Sequence, residues 1–121
     1  MGTGGVKSGF VINNFDLSYY EKQDFYRIVK NIIYDAIDEK WFDFTREGYI
    51  EEHLKSKFGG DWYAKIYGYD GEEEKNKIDF NYRERDIVVF HRVIEEGGFL
   101  TDPRGEYFYI KRKHDSDCLI F

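Results

Sequence analysis

One cysteine, Cys118, and one proline, Pro103, are all that the 121 residues contain of either type. A single thiol excludes an internal disulfide, and with no apparent signal segment the expected setting is a reducing, cytoplasmic one. No stretch approaches the roughly 20 consecutive apolar residues that a membrane-spanning helix needs. Positive charge is also in the minority: 18 Lys and Arg stand against 24 Asp and Glu, for a net charge of −6. Nucleic acid is therefore not an expected partner, since phosphate binding calls for a basic surface. Histidines are few, at positions 53, 91 and 114. Their spacing matches no metal-ligand or acid–base pattern, and neither a metal nor a cofactor is expected.

What is abundant is aromatic: 11 Tyr, 11 Phe and 2 Trp make up 20% of the chain. Large rings bury much area per residue, so a short chain of this kind can still offset its folding entropy with one core. Beyond a Gly-rich, flexible tail over residues 1–9, Gly9 to Asn14 reads as a short strand. Ser18 and Glu21 make a capping box for a helix. Phe25, Ile28, Val29, Ile32, Ile33 and Ala36 then fall on one helical stripe, with Lys22, Lys30, Asp35 and Glu39 off it. The aromatic cluster Trp41, Phe42 and Phe44 marks the turn that follows and is expected to pack beneath both helices.

A second helix is expected from Arg46 to Phe58, capped by Thr45, with Ile50, His53, Leu54 and Phe58 inward and Gly59-Gly60 as a left-handed stop. Strands are expected at Trp62–Tyr67, Lys77–Arg83 and Asp86–His91, and a last one within Glu106–Lys111. Gly97, Gly98 and Pro103 punctuate a loop before it. Helices early and strands late predict an α+β fold, two helices on an antiparallel sheet after an N-terminal strand.

The candidates for chemistry reduce quickly. The acidic turn Asp70-Gly71-Glu72-Glu73-Glu74 lacks the ligand alternation of a calcium loop. The opening glycines follow no strand and end in no Lys-Ser/Thr, as a phosphate cradle would require. Cys118-Leu119-Ile120-Phe121 has the Cys-aliphatic-aliphatic-X form that directs prenylation of Cys118. The alternative is that these apolar residues pack on the domain and the thiol is inert. A single lipid chain binds membranes only marginally. Lys111, Arg112 and Lys113 would add attraction to an anionic surface, and Asp115 and Asp117 offset much of it.

Val11-Ile12-x-Asn14-x-Asp16-x-Ser18, followed by Gln23-Asp24, is similar to the opening strand and first helix of the small, eight-kilodalton dynein light chains. Ile50, His53-Leu54-Lys55 and Phe58, then Trp62, Ile66 and Gly68, then Ile78-x-Phe80 and Ile87-Val88-Val89-Phe90 extend the resemblance over residues 10–92. It implies a non-catalytic subunit or adaptor of a microtubule motor, in the cytoplasm, cytoskeleton or a cilium. The implied partners are dynein heavy or intermediate chains or another light chain, met by strand pairing and an aromatic face. The partner-binding residues it implies are Ile78, Phe80, Tyr82, Val88 and Phe90.

The chain departs from the family between Gly68 and Ile78, where it is shorter. Gly48 replaces a basic residue, and Asp79 and Asn81 replace aromatic ones. On this reading residues 10–93 form the light-chain-like domain. Residues 94–121 form an extension whose strand covers an open sheet edge. A prenylated peripheral membrane protein and a small ligand-binding or enzymatic α+β domain remain the alternatives.

Overall fold

A computed structural model describes residues 8–15, 22–68, 85–95 and 104–113. The expected strand over 77–83, the capping box, the acidic turn, the Gly97–Pro103 loop, His114 and Cys118 lie outside them.

The described elements run β1 (Gly9–Asn14), α1 (Lys22–Glu39), α2 (Asp43–Phe58), β2 (Asp61–Gly68), β3 (Ile87–Glu95) and β4 (Arg104–Lys113). The helices pack on an antiparallel sheet, and the described strands stand in the order β1-β3-β4-β2. The α+β layout is the expected one.

The stripe on α1 does what its spacing predicts. Phe25, Val29, Ile32, Ile33 and Ala36 are buried, and Ile28 packs against them partly exposed. Facing them are Ile50 and Leu54 of α2, Trp62, Ala64 and Ile66 of β2, Val88 and Phe90 of β3, and Phe108 and Ile110 of β4. Each of the Val, Leu, Ile and Phe side chains among them, fully buried, contributes about 1.5–3 kcal/mol. Rings tie the layers together. Phe15 stacks on Trp62 with centroids 5.6 Å apart, and Phe10 meets Phe90 edge-on at 5.1 Å. Trp62 also donates its indole N–H to the Gly59 carbonyl at 2.9 Å.

Helix α2 begins three residues before the expected start. Asp43 favours the first turn through the helix dipole. Thr45 lies inside the helix and donates its hydroxyl to the Phe42 carbonyl at 2.7 Å, so it is not the cap. The helix ends as expected. Gly59 (φ 71°) and Gly60 (φ 78°) are left-handed, and the Gly59 amide donates to the Lys55 carbonyl at 2.8 Å.

Two expectations need correction. The last strand does not cover an edge: β4 pairs with β3 along one side and with β2 along the other, so it lies inside the sheet. A domain boundary after residue 93 would cut through β3 itself. Nor does the aromatic cluster pack beneath the helices, since Trp41, Phe42 and Phe44 are 88%, 65% and 72% exposed. Only Lys40, Trp41 and Phe42 separate the helices, Phe44 belonging to α2, and the direction of this turn is fixed by Arg46. Its guanidinium reaches back to the Lys40 and Ile37 carbonyls at 2.9 and 3.2 Å. It thereby supplies the positive charge that the last turn of α1 lacks.

The Tyr26 hydroxyl oxygen is buried and has no hydrogen-bond partner among the described residues. Burial raises the pKa of this phenol above its ordinary 10.0. Tyr26→Phe removes an unsatisfied group whose burial costs about 1–3 kcal/mol, so the variant is expected to melt a few degrees higher. The raised folded-state pKa has a further consequence. Its contribution is fully present below pH 10.0 and is lost as pH rises through the folded value. Alkaline titration of stability by circular dichroism should show a smaller loss in the variant. A melting temperature unchanged or lower would refute the assignment.

Candidate functional site: the outer edge of strand β2

Strand β2 alternates strictly, with Trp62, Ala64 and Ile66 turned into the core and Asp61, Tyr63 and Lys65 exposed. It is an end strand of the described sheet, so the amides of alternate residues point away from β4. Bare edge amides are a template for another strand. Here two of them are occupied by side chains. The Ala64 amide donates to Glu51 Oε2 at 3.0 Å, and the Ile66 amide to Glu47 Oε2 at 2.8 Å.

Both carboxylates come from α2. Their spacing of four puts them one turn apart on one side of the helix, and the edge amides two residues apart meet them. Lys65 Nζ stands 3.9 Å from Glu47 Oε2, with its side chain 46% exposed. The carboxylates thus take the acceptor positions that the carbonyls of an adjoining strand would fill. No sequence motif announces this pair. The only legible sign is two glutamates one helical turn apart, on the helix that directly precedes the strand.

At the opposite end of the described sheet, β1 is blunted. Its register against β3 shifts between Phe10 and Ile12. A bulged strand pairs poorly with a further one.

The residues expected to bind a partner are placed otherwise. Val88 and Phe90 have no exposed surface and sit beneath the helices, so they are core and touch no partner in the folded chain. Their neighbours Ile87 and Val89 face the other side of the sheet and are buried with Tyr107. Because both faces of β3 are covered, its continuous apolar run has a structural explanation. Ile78, Phe80 and Tyr82 lie outside the described residues, as does Cys118.

The two described histidines, His53 and His91, do not converge. His53 is exposed on α2, contrary to the expected inward position, with its ring stacked 3.8 Å from that of Tyr49 and Nδ1 2.9 Å from the Tyr49 carbonyl. A step of three from Ile50 carries it off the inner face, which Ile50 and Leu54 keep by a step of four. His91 is buried on the face of the sheet turned away from the helices, stacked on Tyr107 at 4.4 Å. Among the described residues no group of three or more His, Cys, Asp or Glu side chains could hold a metal ion. No described helix is long and apolar enough to cross a membrane.

Arg92 and Glu106 lie opposite one another on β3 and β4 and form a 2.8 Å ion pair, with Glu106 buried. This pair fixes register within the sheet and is not a site. No family model matches the chain, and no curated protein is significantly similar to it.

Proposed function

We propose that this chain is a non-catalytic protein-binding subunit that accepts an extended segment of its partner along the outer edge of β2. The observation that carries the reading is the pair of carboxylate-held amides at Ala64 and Ile66. Side-chain acceptors satisfy the edge in the free chain and can swing away through their own rotamers, leaving the amides to an incoming backbone. Main-chain bonds then supply affinity, and the exposed side chains of Tyr63 and Lys65 supply selectivity.

The resemblance of residues 10–92 to the small dynein light chains makes the partners motor subunits, dynein heavy or intermediate chains, in the cytoplasm or an axoneme. Prenylation at Cys118 would add a membrane tether to the same domain.

Affinity purification of the tagged protein from its own cells, with identification of the co-purifying chains by mass spectrometry, tests both parts. Ala64→Pro is the informative variant. It deletes an N–H that β4 does not use, and proline is tolerated on an edge strand. Motor chains are expected with the wild type and at least tenfold less with the variant, whose circular dichroism is expected to be native-like. Partners recovered equally with folded Ala64→Pro would refute the edge. Recovery without any motor chain would refute the light-chain reading alone.

A further inference from the structure

The corner between α1 and α2 exposes three large aromatic side chains within four residues, Trp41 at 88%, Phe42 at 65% and Phe44 at 72%. Scattered apolar residues on a surface need no explanation, whereas a contiguous group of rings marks an interaction site. Phe42 and Phe44 stack on one another with centroids 6.0 Å apart and planes 18° from parallel. The corner's backbone is held on both sides. The Lys40 amide donates to the Ala36 carbonyl at 2.9 Å, and the Arg46 amide to the Phe42 carbonyl at 2.9 Å. The Arg46 guanidinium clamps the end of α1 from beyond the turn. A patch already held in place loses little conformational entropy when it is covered. Trp and other rings on rigid supports are the residues that dominate binding energy.

The charge around the rings selects the occupant. Asp38, Glu39 and Asp43 are exposed beside them, with Lys40 the one exposed cation between. The charge of Arg46 sits against the carbonyl end of α1 and offsets the partial negative charge there. An acidic rim on a chain of net charge −6 opposes an anionic membrane surface. It opposes a second copy as well, because a two-fold contact would bring like charges together.

We infer that the Trp41–Phe42–Phe44 corner is a docking surface for a protein partner that presents an apolar cleft or stripe rimmed by Lys and Arg. This surface adjoins the β2 edge along α2, where Phe44 and Glu47 are one turn apart, and does not depend on the reading given to that edge.

Trp41 is nearly fully exposed and Trp62 buried, so the blue shift of tryptophan emission reports burial of the corner. The probe is a synthetic amphipathic helical peptide with Leu on one face and Lys on the other. Its twin carries Glu in place of Lys. The basic peptide is expected to shift the emission and to bind at least tenfold more tightly than its twin.

The triple variant Trp41→Ala, Phe42→Ala, Phe44→Ala keeps the net charge, so general attraction between acidic chain and basic peptide survives in it. Binding, read by calorimetry, is expected to fall at least tenfold in this variant. Trp41→Ser, expected to weaken binding several-fold, carries the test should the triple variant lose its native circular dichroism. Four results would overturn the inference: equal binding by the folded variants, preference for the acidic peptide, stronger partition onto phosphatidylcholine or phosphatidylserine vesicles, or self-association that the triple variant abolishes.

Discussion

Replacing Gly105 by alanine is expected to lower the melting temperature by about 10 °C or more, the counterpart of a loss near 3 kcal/mol. Gly105 lies in β4 opposite Val93, beside the place where the β3–β4 register shifts between Val93 and Glu95. A methyl group there would fall inside the van der Waals envelope of the Arg92 carbonyl oxygen and would also meet His91 Nε2 at 3.1 Å. Backbone atoms of a paired inner strand cannot step aside as a flexible side chain does. The neighbouring Arg92–Glu106 pair would move with them, which spreads the damage across the ladder. Gly68 in β2 is the control, because a methyl group there has nothing within 4 Å. Thermal melts of Gly105→Ala and Gly68→Ala side by side decide the matter. Equal melting temperatures would show that the ladder opens at Gly105 without cost.

A chain ending at residue 103 is expected not to fold at all. Removing β4 takes away the described partner of β2 and one partner of β3 together, so the described sheet divides into β2 by itself and the β1–β3 pair. It also removes Tyr107, Phe108 and Ile110, all buried. At about 1.5–3 kcal/mol each, these three alone approach the roughly 5–15 kcal/mol by which a domain is stable. The lost ladder adds to that. Circular dichroism and a thermal scan of the truncated chain should show no cooperative transition. A strand that merely covered an edge would behave differently, and its deletion would leave a folded domain. Persistence of a cooperative melt would restore that reading.

The parts of the fold that were legible in the sequence are those that one segment decides by itself. The α1 stripe from Phe25 to Ala36, the glycine stop at Gly59-Gly60 and the alternation of β2 each follow from the repeat of a single helix or strand. Errors appeared where the periodic signal was sparse. A step of three from Ile50 suggests an inward His53, whereas the structure buries only Leu54, at the step of four. The last strand is expected only from Glu106, after the loop that Pro103 punctuates, yet β4 already begins at Arg104.

The candidate site was hardly legible. Val88 and Phe90 carry the hydrophobicity of an interface, but fully buried residues carry it too. Only their position beneath the helices separates the two. Glu47 and Glu51 look like ordinary helix-surface acids until β2 is laid beside them. Trp41, Phe42 and Phe44 have a core composition and an exposed position, because the Arg46 clamp sets the direction of the turn that carries them.

By itself, then, the sequence determined an α+β fold, its two helices, the C-terminal end of α2 and the alternation of β2. These depend on backbone geometry and side-chain spacing within a few turns of chain. The tertiary structure alone decided that the C-terminal strand lies inside the sheet, that β2 is an end strand of the described sheet, and that the aromatic corner faces solvent. Those outcomes depend on which distant segments pair, and pairing is settled by the summed burial and hydrogen bonding of the whole sheet.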